Sequence, residues 1–393
     1  MKFRIIIVSI IALLSFSCNQ EAKRNQRLKE LLIGEWEYCK EEPKYAEELE
    51  FDYKKSLGIG FFQDSIEFLD GWFLPPYKDF ITGKLMAKYY GNFVSYHIKK
   101  DSIFVQNPEN KKFEFIWKFI CVSNDTLHLA FDDSTTIKLK KLVYNIDTIP
   151  DFDQIIYSST GCYGWCPIID ISIDENNYIL FQGEGYVEKL GFYEGQIDNN
   201  LRKYIFDKFK KANPLRLQKL YAASHTDDES ITTTYIKDKK IIKTIHDYGR
   251  TGTDDLLRAY VPVANLHNVI NLNRIPDDEP FYPKYHYYRF EKGRSILPLD
   301  KSESFYLWTE LKKSKITSQE FMPDYTIKFT ENFTYWGPDA NKRKHKYEYK
   351  KITSDGRFFK FEYKNVPSIT YDLGYNFIEI NFEKSDFIEL KKK

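Results

Sequence analysis

The stretch Gly161-Cys162-Tyr163-Gly164-Trp165-Cys166-Pro167 leads directly into Ile168-Ile169-Asp170-Ile171-Ser172-Ile173. In the second stretch the isoleucines at 169, 171 and 173 recur every two residues, which is the period of a β-strand with one apolar face. A polar turn over 175–177 and a further apolar run over 178–181 follow. The sequence therefore predicts a β-hairpin that begins directly after a turn rich in glycine and cysteine.

The two cysteines of this turn are four positions apart. On an extended chain their Cα atoms would lie about 13 Å apart, which is far beyond the reach of a disulfide. Gly161 and Gly164 permit the chain to curl tightly, and we therefore predict a disulfide between Cys162 and Cys166. A loop this small rigidifies the turn more than it stabilises the whole domain.

Helices and further strands follow this hairpin. Asp198 is the predicted N-cap of a helix from Asn199 to about Ala212, in which apolar residues recur every four positions. Asp254 is the predicted cap of a second helix, which Pro262 interrupts or restarts and which ends near residue 272. Strands are predicted over 231–236 and 241–245. The order indicates an α+β domain with antiparallel sheets over residues 153–273.

The C-terminal residues 280–393 carry a similar mixture of elements. A helix is predicted over 302–313, and the turn Ser354-Asp355-Gly356 predicts a hairpin. The predicted strands are Tyr325–Phe329, Lys346–Ile352, Phe358–Tyr363 and Phe377–Phe382. This segment is either a separate α+β domain or the completion of the preceding one.

The N-terminal residues 27–145 show mostly short strands with evenly spaced polar turns. A brief helix over 27–32 precedes them, and the pattern predicts a meander that closes into a small all-β barrel. The predicted strands after residue 90 are Ser95–Ile98, Ser102–Val105, Phe113–Val122, Thr126–Leu129 and Thr136–Leu139.

This segment resembles the lipocalin-like domains of bacterial envelope proteins. The resemblance depends on Gly34-x-Trp36 after a short helix and on the turn and strand Asn124-Asp125-Thr126-Leu127. It implies that Gly34 and Trp36 close one end of the barrel. It leaves two alternatives for the interior, because an eight-stranded barrel is wide enough either to be filled by side chains or to hold one apolar ligand.

The first residues have the pattern of an exported protein. Lys2 and Arg4 precede the short apolar run 5–14, which is typical of a signal peptide over residues 1–17 and is too short to span a bilayer. Ser17 and Cys18 resemble the lipobox of bacterial lipoproteins, which implies acylation of Cys18. Residues 18–26 then form a lipidated tether, and the expected location is the outer membrane, facing either the periplasm or the cell surface.

Export to an oxidising compartment changes the expectation for the remaining cysteines. Four of them remain after residue 18, and an even number favours disulfides over free thiols. The spacing favours Cys162–Cys166 and Cys39–Cys121 among the three possible connectivities.

The cysteine turn also resembles a family of exported bacterial proteins with an uncharacterised domain. Members share a Cys-Phe/Tyr-Gly-x-Cys-Pro opening before a strand hairpin, and a later Tyr followed by Thr-Asp, which Tyr221 and Thr226-Asp227 match here. The resemblance runs from about residue 155 to residue 272. It implies a folding unit and an envelope location, without an established activity.

A sharper alternative is a redox or copper site. The Cys-x3-Cys-Pro pattern is similar to that of Sco-type copper chaperones, in which two thiols and a distant His bind copper, and His225 or His246 would be the third ligand. That chemistry requires thiols at a helix N-terminus, where the dipole lowers their pKa. The alternating residues after Pro167 predict a strand instead.

Composition excludes one class of function. The chain has 58 Lys and Arg, 57 Asp and Glu and a formal net charge of +1, which argues against a dedicated nucleic-acid binder. No sequence motif of a metalloprotease, a serine hydrolase or a phosphate-binding loop is present. Gly183-x-Gly185 predicts a bulge or bend. The run 225–229 is a potential oxygen-ligand site for a cation, but a solvated loop is the expectation.

We therefore predict a lipid-anchored envelope protein with a non-catalytic binding or scaffolding role, without cofactor, metal or catalytic residues. The expected partners are the membrane, through the anchor, and an envelope protein or an apolar small molecule. The alternatives are a thiol redox or copper-handling protein that uses Cys162 and Cys166, and an apolar ligand carrier that uses the barrel.

Overall fold

The computed structural model describes residues 23–39, 57–73, 77–78, 85–86, 88–132, 135–275, 288–329 and 349–390. The chain divides into two compact units, one up to Tyr144 and one from Asn145 onward. Among the described residues, no helix combines the length and the hydropathy needed to cross a bilayer. Cys18 lies outside the described residues, as do residues 346–348 of the predicted strand Lys346–Ile352.

The first unit is an eight-stranded closed barrel in which every neighbouring pair is antiparallel. Helix α1 covers residues 23–32 and includes the last residues of the predicted tether. The strands are β1 (Gly34–Tyr38), β2 (Ile59–Phe61), β3 (Ser65–Phe68), β4 (Tyr77–Lys78), β5 (Leu85–Met86), β6 (Phe93–Lys99), β7 (Ser102–Gln106), β8 (Phe113–Val122), β9 (Thr126–Ala130) and β10 (Thr136–Lys141). The barrel order is β1-β10-β9-β8-β7-β6-β3-β2, while β4 and β5 pair only with each other.

Apolar residues alternate with polar ones along the barrel strands, and this explains why one face of each strand is buried inside the barrel. In β6, Val94, Tyr96 and Ile98 are buried while the residues between them are half-buried or exposed. Such inward-facing side chains from all eight barrel strands form one apolar cluster. The five strands predicted after residue 90 are all present. Four of them combine this two-residue period with a flanking polar turn, whereas β8 has a single buried residue, Trp117.

The second unit contains two eight-stranded sheets. The first, named the central sheet, has β11 (Gln154–Ser159), β12 (Ile168–Asp174), β13 (Tyr178–Gly185), β14 (Gly191–Gln196), β15 (Leu220–Ala222), β16 (Ser230–Lys237), β17 (Lys240–Tyr248) and β18 (Asn273–Arg274), in the order β15-β17-β16-β11-β12-β13-β14-β18. The second, named the C-terminal sheet, has β19 (Tyr288–Lys292), β20 (Ser295–Pro298), β21 (Lys315–Thr317), β22 (Tyr325–Phe329), β23 (Tyr349–Ser354), β24 (Phe358–Tyr363), β25 (Ile369–Asp372) and β26 (Ile388–Glu389), in the order β21-β25-β24-β23-β22-β19-β20-β26. All pairs are antiparallel except β15 with β17.

Helices cover both faces of the central sheet. They are α2 (Asn199–Ala212), α3 (Asp254–Ala264), α4 (Leu266–Val269), α5 (Lys301–Lys313) and α6 (Phe377–Asn381), with short 3-10 helices at Ile146–Thr148 and Lys384–Asp386. Helices α2 and α3 pack on one face, where the three isoleucines at 169, 171 and 173 are buried as predicted. Helix α5 packs on the other face, and one apolar cluster joins that face, α5 and the C-terminal sheet.

Caps explain where three of these helices begin. Helix α2 has the predicted bounds, because the Asp198 side chain accepts a hydrogen bond from the Leu201 N–H. The predicted cap of α3 is wrong: Thr253 is the N-cap, Asp254 is already helical, and Pro262 lies within the helix. Asp300 begins α5 with a capping box, in which cap and third residue satisfy each other's backbone N–H groups.

The predicted strand Phe377–Phe382 is wrong, because Phe377–Asn381 forms α6. The sequence alternates apolar and polar residues, but the Asn376 side chain accepts hydrogen bonds from the backbone N–H groups of residues 378 and 379 and starts a helical turn. That turn buries the adjacent residues Phe377 and Ile378 together. In a strand, these two side chains would point to opposite faces. The predicted hairpin turn Ser354-Asp355-Gly356 is confirmed. Strands β23 and β24 pair on either side of it, and Gly356 has a φ of +98°.

Candidate functional site

The cystine turn, residues 160–167, connects β11 to β12. Its sulfurs form the predicted disulfide, and the Cα atoms of Cys162 and Cys166 are 5.6 Å apart. The Gly164 N–H donates to the Cys162 carbonyl at 2.8 Å, so the chain curls within three residues. A Cβ at Gly161 would lie 3.2 Å from the Ile168 Cδ1 atom, so that side chain would have to move by a few tenths of an ångström.

Hydrogen bonds hold the turn on the end of the central sheet. The Ser159 hydroxyl donates to the Pro167 carbonyl at 2.7 Å. The Tyr163 N–H donates to the Asp227 carbonyl at 2.8 Å, and the Thr160 N–H donates to the Ser230 carbonyl at 2.9 Å. The turn is therefore fixed to the 225–229 loop as well as to its own two strands.

The cystine turn presents large aromatic side chains to solvent. Tyr163 is 92% exposed and Trp165 is 58% exposed. The Trp165 ring contacts the Tyr186 ring edge to face, with centroids 5.5 Å apart. Because backbone bonds and a disulfide fix the turn, its backbone loses little conformational freedom when another molecule covers it.

The neighbouring loop is polar. His225 Nε2 lies 3.0 Å from Asp228 Oδ2, and this hydrogen bond lowers the pKa of Asp228. The Arg250 side chain forms an ion pair with the buried Glu229. Among the described residues, no three His, Cys, Asp or Glu side chains converge as a metal site.

The residues after Pro167 bear on the copper and redox alternative. Strand β12 begins at Ile168, directly after the proline, as the alternating isoleucines predict. A strand does not supply the dipole that lowers a cysteine pKa at a helix N-terminus. The two sulfurs are joined to each other.

A buried ionic cluster lies where α5 meets the central sheet. Lys301, the first residue of α5, places its Nζ atom 3.0 Å from Asp170 Oδ2 and 2.9 Å from Glu184 Oε1. The same Nζ donates to the carbonyls of Ser159 and Ile169, at 3.0 and 3.2 Å. Burial lowers the pKa of Lys301, but the two carboxylates outweigh it and the net shift is upward.

A bulge brings Glu184 into this cluster. In the pairing of β12 with β13, Ile168 is opposite Gly185 and Ile169 is opposite Gly183, which leaves Glu184 as the extra residue. A bulge re-aims a side chain, and a Cβ at Gly183 would overlap the Lys189 carbonyl oxygen at 2.0 Å. The predicted bulge at Gly183-x-Gly185 is therefore confirmed.

A second titratable group lies two residues further along α5. Glu303 is buried, and its burial and the neighbouring Asp300 raise its pKa to about 7. His246 Nδ1 lies 3.6 Å from Asp300 Oδ1. The interaction with Asp300 raises the pKa of His246. His225 and His246 thus contact different carboxylates.

The predicted barrel residues lie at the start of β1. Trp36 is fully buried, and its indole N–H donates to the Leu32 carbonyl of α1 at 2.7 Å. Lys141 Nζ lies 5.1 Å from the centre of the Trp36 ring. Gly34 has a φ of +127°, and a Cβ there would lie 2.7 Å from the Lys141 side chain. These contacts join α1 to the first and last strands of the barrel.

The predicted disulfide between Cys39 and Cys121 is wrong. Both residues are thiols that are not joined to each other; Cys39 is half-buried and Cys121 is exposed. Cys39 follows β1, whereas Cys121 lies on β8, and β10 and β9 separate these two strands in the barrel. Three strand spacings exceed about 10 Å, and a disulfide needs Cα atoms within about 7 Å.

Sequence reasoning missed the ionic cluster completely. Its members are far apart in the chain, with Lys301 131 residues after Asp170, so no local pattern connects them. One signal was present: Asp170 interrupts an isoleucine-rich strand that is buried on both faces. A charge inside such a strand requires a buried partner.

Residues 153–267 match the family described as a domain of unknown function (DUF6438). This range contains the cystine turn, Asp170 and Glu184, whereas Lys301 lies beyond it. The match agrees with the resemblance to an uncharacterised domain that the cysteine turn indicates. No curated protein and no solved structure matches the chain.

Proposed function

We propose that this chain is a lipid-anchored protein of the bacterial outer membrane that binds an envelope protein without catalysis, with the cystine turn as its binding surface. The observation that carries the proposal is the pair of exposed rings, Tyr163 and Trp165, on a turn closed by a disulfide. Tyr and Trp on rigid positions are the side chains that contribute most to binding energy at protein interfaces.

Two features support the anchored location. The start of the chain has a basic head, a short apolar run and Cys18 after a small residue, as in lipoproteins. A disulfide is stable in an oxidising compartment outside the cytoplasm. The acyl chains of Cys18 would then hold the protein at the membrane, since each buried CH2 contributes about 0.8 kcal/mol.

We further propose that the barrel belongs to the lipocalin-like class and has a structural role. Its support is the antiparallel order of the eight strands, the preceding helix and the buried Trp36. The inward side chains pack into one apolar cluster, which favours the filled interior over a ligand carrier. The redox and copper alternative has no supporting observation in the described residues.

The test is site-specific photo-crosslinking in cells. A photoreactive phenylalanine analogue replaces Tyr163 in one variant and Met322 in the other; Met322 is 89% exposed and serves as the matched control. We expect a discrete adduct with one envelope protein from position 163, in the membrane fraction, that is lost when Trp165→Ala is added. We expect Cys18→Ala to move the chain out of that fraction.

Two outcomes would contradict this proposal. Equal adducts from positions 163 and 322, or none from 163, would remove the cystine turn as the binding surface. A Cys18→Ala chain that stays in the membrane fraction would remove the lipid anchor.

A further inference from the structure

The outer surface of the barrel carries aromatic side chains on three neighbouring strands. They alternate with the buried residues of those strands and are half-buried or exposed. These five residues, named the aromatic band, are Phe93 and His97 of β6, Phe104 of β7, and Phe113 and Phe115 of β8. Positions of an antiparallel sheet that face water are usually polar. Phe113 and Phe115, at 45% and 48% exposure, depart from that pattern.

Ring contacts make the aromatic band continuous. The His97 ring stacks on Phe104 with centroids 5.2 Å apart, and it contacts Phe113 edge to face at 4.6 Å. Phe104 in turn contacts Phe115 edge to face at 6.0 Å. The register brings the rings together, because His97 is opposite Phe104, and Phe104 is opposite Phe115. A contiguous exposed apolar patch on a protein marks a surface that contacts another molecule or a membrane.

The first helix begins beside the aromatic band. The Asn25 side chain donates to the Ile98 carbonyl at 3.2 Å, which places the start of α1 at the residue of β6 that follows His97. Cys18 precedes Lys23, the first residue of α1, by five positions. Five extended residues span at most about 18 Å. An acyl anchor on Cys18 would therefore keep this end of the barrel close to the bilayer.

Positive charge predominates at this end of the barrel. Exposed basic side chains lie on α1, on the last residue of β6 and in the turn after it; they are Lys23, Arg24, Arg27, Lys99 and Lys100. The acidic side chains on the same segments are Glu30 and Asp101, and Asp101 forms an ion pair with Lys118 of β8 at 3.5 Å. The excess of basic groups would attract anionic phospholipid headgroups.

We propose that the aromatic band and these basic side chains bind the surface of the anionic phospholipid bilayer that holds the acyl anchor. The proposal rests on the lipid anchor proposed above and adds the barrel as a second contact with the membrane. Phenylalanine rings combined with Lys and Arg are typical of protein surfaces that lie in the bilayer interface, with the rings at the boundary between headgroups and acyl chains.

Attachment through Cys18 makes a weak surface contact sufficient. Once the acyl chains are inserted, the aromatic band meets the bilayer at the high effective concentration that a short tether provides. The band then orients the barrel, with β6, β7 and β8 towards the bilayer. Self-association through the same surface would bring like charges together, which disfavours a second copy as the occupant.

Photo-crosslinking of the full acylated chain in vesicles tests this proposal. A photoreactive phenylalanine analogue replaces Phe115 in one variant and Thr136 in the other. Thr136 is exposed on β10, three strands from β7 in the barrel, and is the matched control. Each chain is purified with its acyl groups and inserted into vesicles of equal parts phosphatidylethanolamine and phosphatidylglycerol. We expect at least tenfold more phospholipid adduct from position 115 than from position 136, measured by the mass of the chain.

Charge reversal tests the contribution of the basic side chains. Arg24→Glu combined with Arg27→Glu should lower the phospholipid adduct from position 115 at least threefold. The matched control is Lys138→Glu combined with Lys140→Glu, which changes the net charge equally on the exposed side of β10. It should leave the adduct unchanged. An equal loss in both pairs would show that net charge, not this end of the barrel, sets the contact.

The outcomes separate this proposal from the lipid anchor. An acylated chain that gives no phospholipid adduct from position 115, or equal adducts from 115 and 136, would overturn the membrane contact and leave the anchor intact. A crosslink from position 115 to a second copy of the chain would assign the aromatic band to self-association instead. A chain whose mass before irradiation shows no acyl groups would overturn both proposals. The analogue at Phe113 repeats the test at a second position of the band.

Discussion

The two faces of the central sheet are built by different physical means. The face that packs on α2 and α3 is mainly apolar, with residues such as Ile171 and Phe181 in one cluster. The face that packs on α5 is apolar at one end, with Ile156 and Leu180. At its other end it carries buried charges and hydroxyl groups around Lys301.

The two faces therefore have different roles. The apolar face contributes mainly to the stability of the fold, whereas the charged face determines the position of α5 on the sheet. Apolar packing is non-directional, so the α2 and α3 face gains free energy from burial in any arrangement that fills the space. Charged and hydroxyl groups need particular partners, because a buried polar group without one is costly. The α5 face thus fixes where α5 begins relative to the sheet.

The largest expected loss of stability comes from removing the positive charge at the charged end of the α5 face. Lys301→Met leaves the Asp170 and Glu184 carboxylates buried without their cation. Loss of one partner of a buried ion pair typically destabilises a protein by about 3–5 kcal/mol. We expect the free energy of unfolding in urea to fall by at least about 3 kcal/mol on this basis.

Ile171→Val is the matched change on the apolar face. It removes one methylene from a fully buried side chain, which typically lowers the free energy of unfolding by about 0.5–1.5 kcal/mol. Similar losses for Lys301→Met and Ile171→Val would show that the two faces contribute by the same mechanism, against the comparison drawn above.

The stability of the α5 face is also expected to depend on pH. The folded protein holds the Glu303 proton more tightly than the unfolded chain, since its pKa rises from 4.5 to about 7. The contribution of Glu303 to stability should therefore be greatest below pH 4.5 and fall as pH rises to about 7, by about 3 kcal/mol at 1.4 kcal/mol per pKa unit. Glu303→Gln should reduce this slope to the part that His246 contributes, because Gln keeps the capping box without ionising.

Urea unfolding of both proteins between pH 4 and pH 8 measures this prediction. The exposed Glu320→Gln is the control and should leave the slope unchanged. A slope that is undiminished in Glu303→Gln would assign the pH dependence to another group of the fold.

A loss of stability smaller than that of Lys301→Met is expected at the rim of the central sheet. Removing the disulfide with Cys162→Ser and Cys166→Ser should lower the free energy of unfolding by about 2 kcal/mol, the chain-entropy value for a loop of about five residues. Thermal unfolding with and without reductant gives the same comparison on the wild-type chain. A loss as large as that of Lys301→Met would mean that the turn determines the packing of the whole sheet.

Local signals in the sequence predict much of this fold. Helix α2 follows from Asp198 and its spacing of apolar residues, and β12 follows from alternating isoleucines. The cystine turn follows from two glycines and the cysteine spacing. Each of these features depends on neighbours within a few residues, where propensity and capping act.

The remaining features depend on contacts between distant segments. The sequence of α6 alone predicts a strand. The structure shows a helix instead, because Asn376 caps it and the adjacent residues Phe377 and Ile378 are buried together. The Cys39–Cys121 pairing fails because sequence does not reveal the order of strands around the barrel. The ionic cluster joins three segments of the chain, and only the packing of α5 on the central sheet brings them together.

The outermost strands of both large sheets are very short in the part of the chain that the structure describes. Strands β15 and β21 have three residues each, and β18 and β26 have two. A neighbouring molecule therefore finds only a few unpaired backbone groups to extend by strand addition, which is the usual route to fibrous aggregation. Such short edge strands would allow many copies of the protein to be present at high concentration without pairing between their sheets.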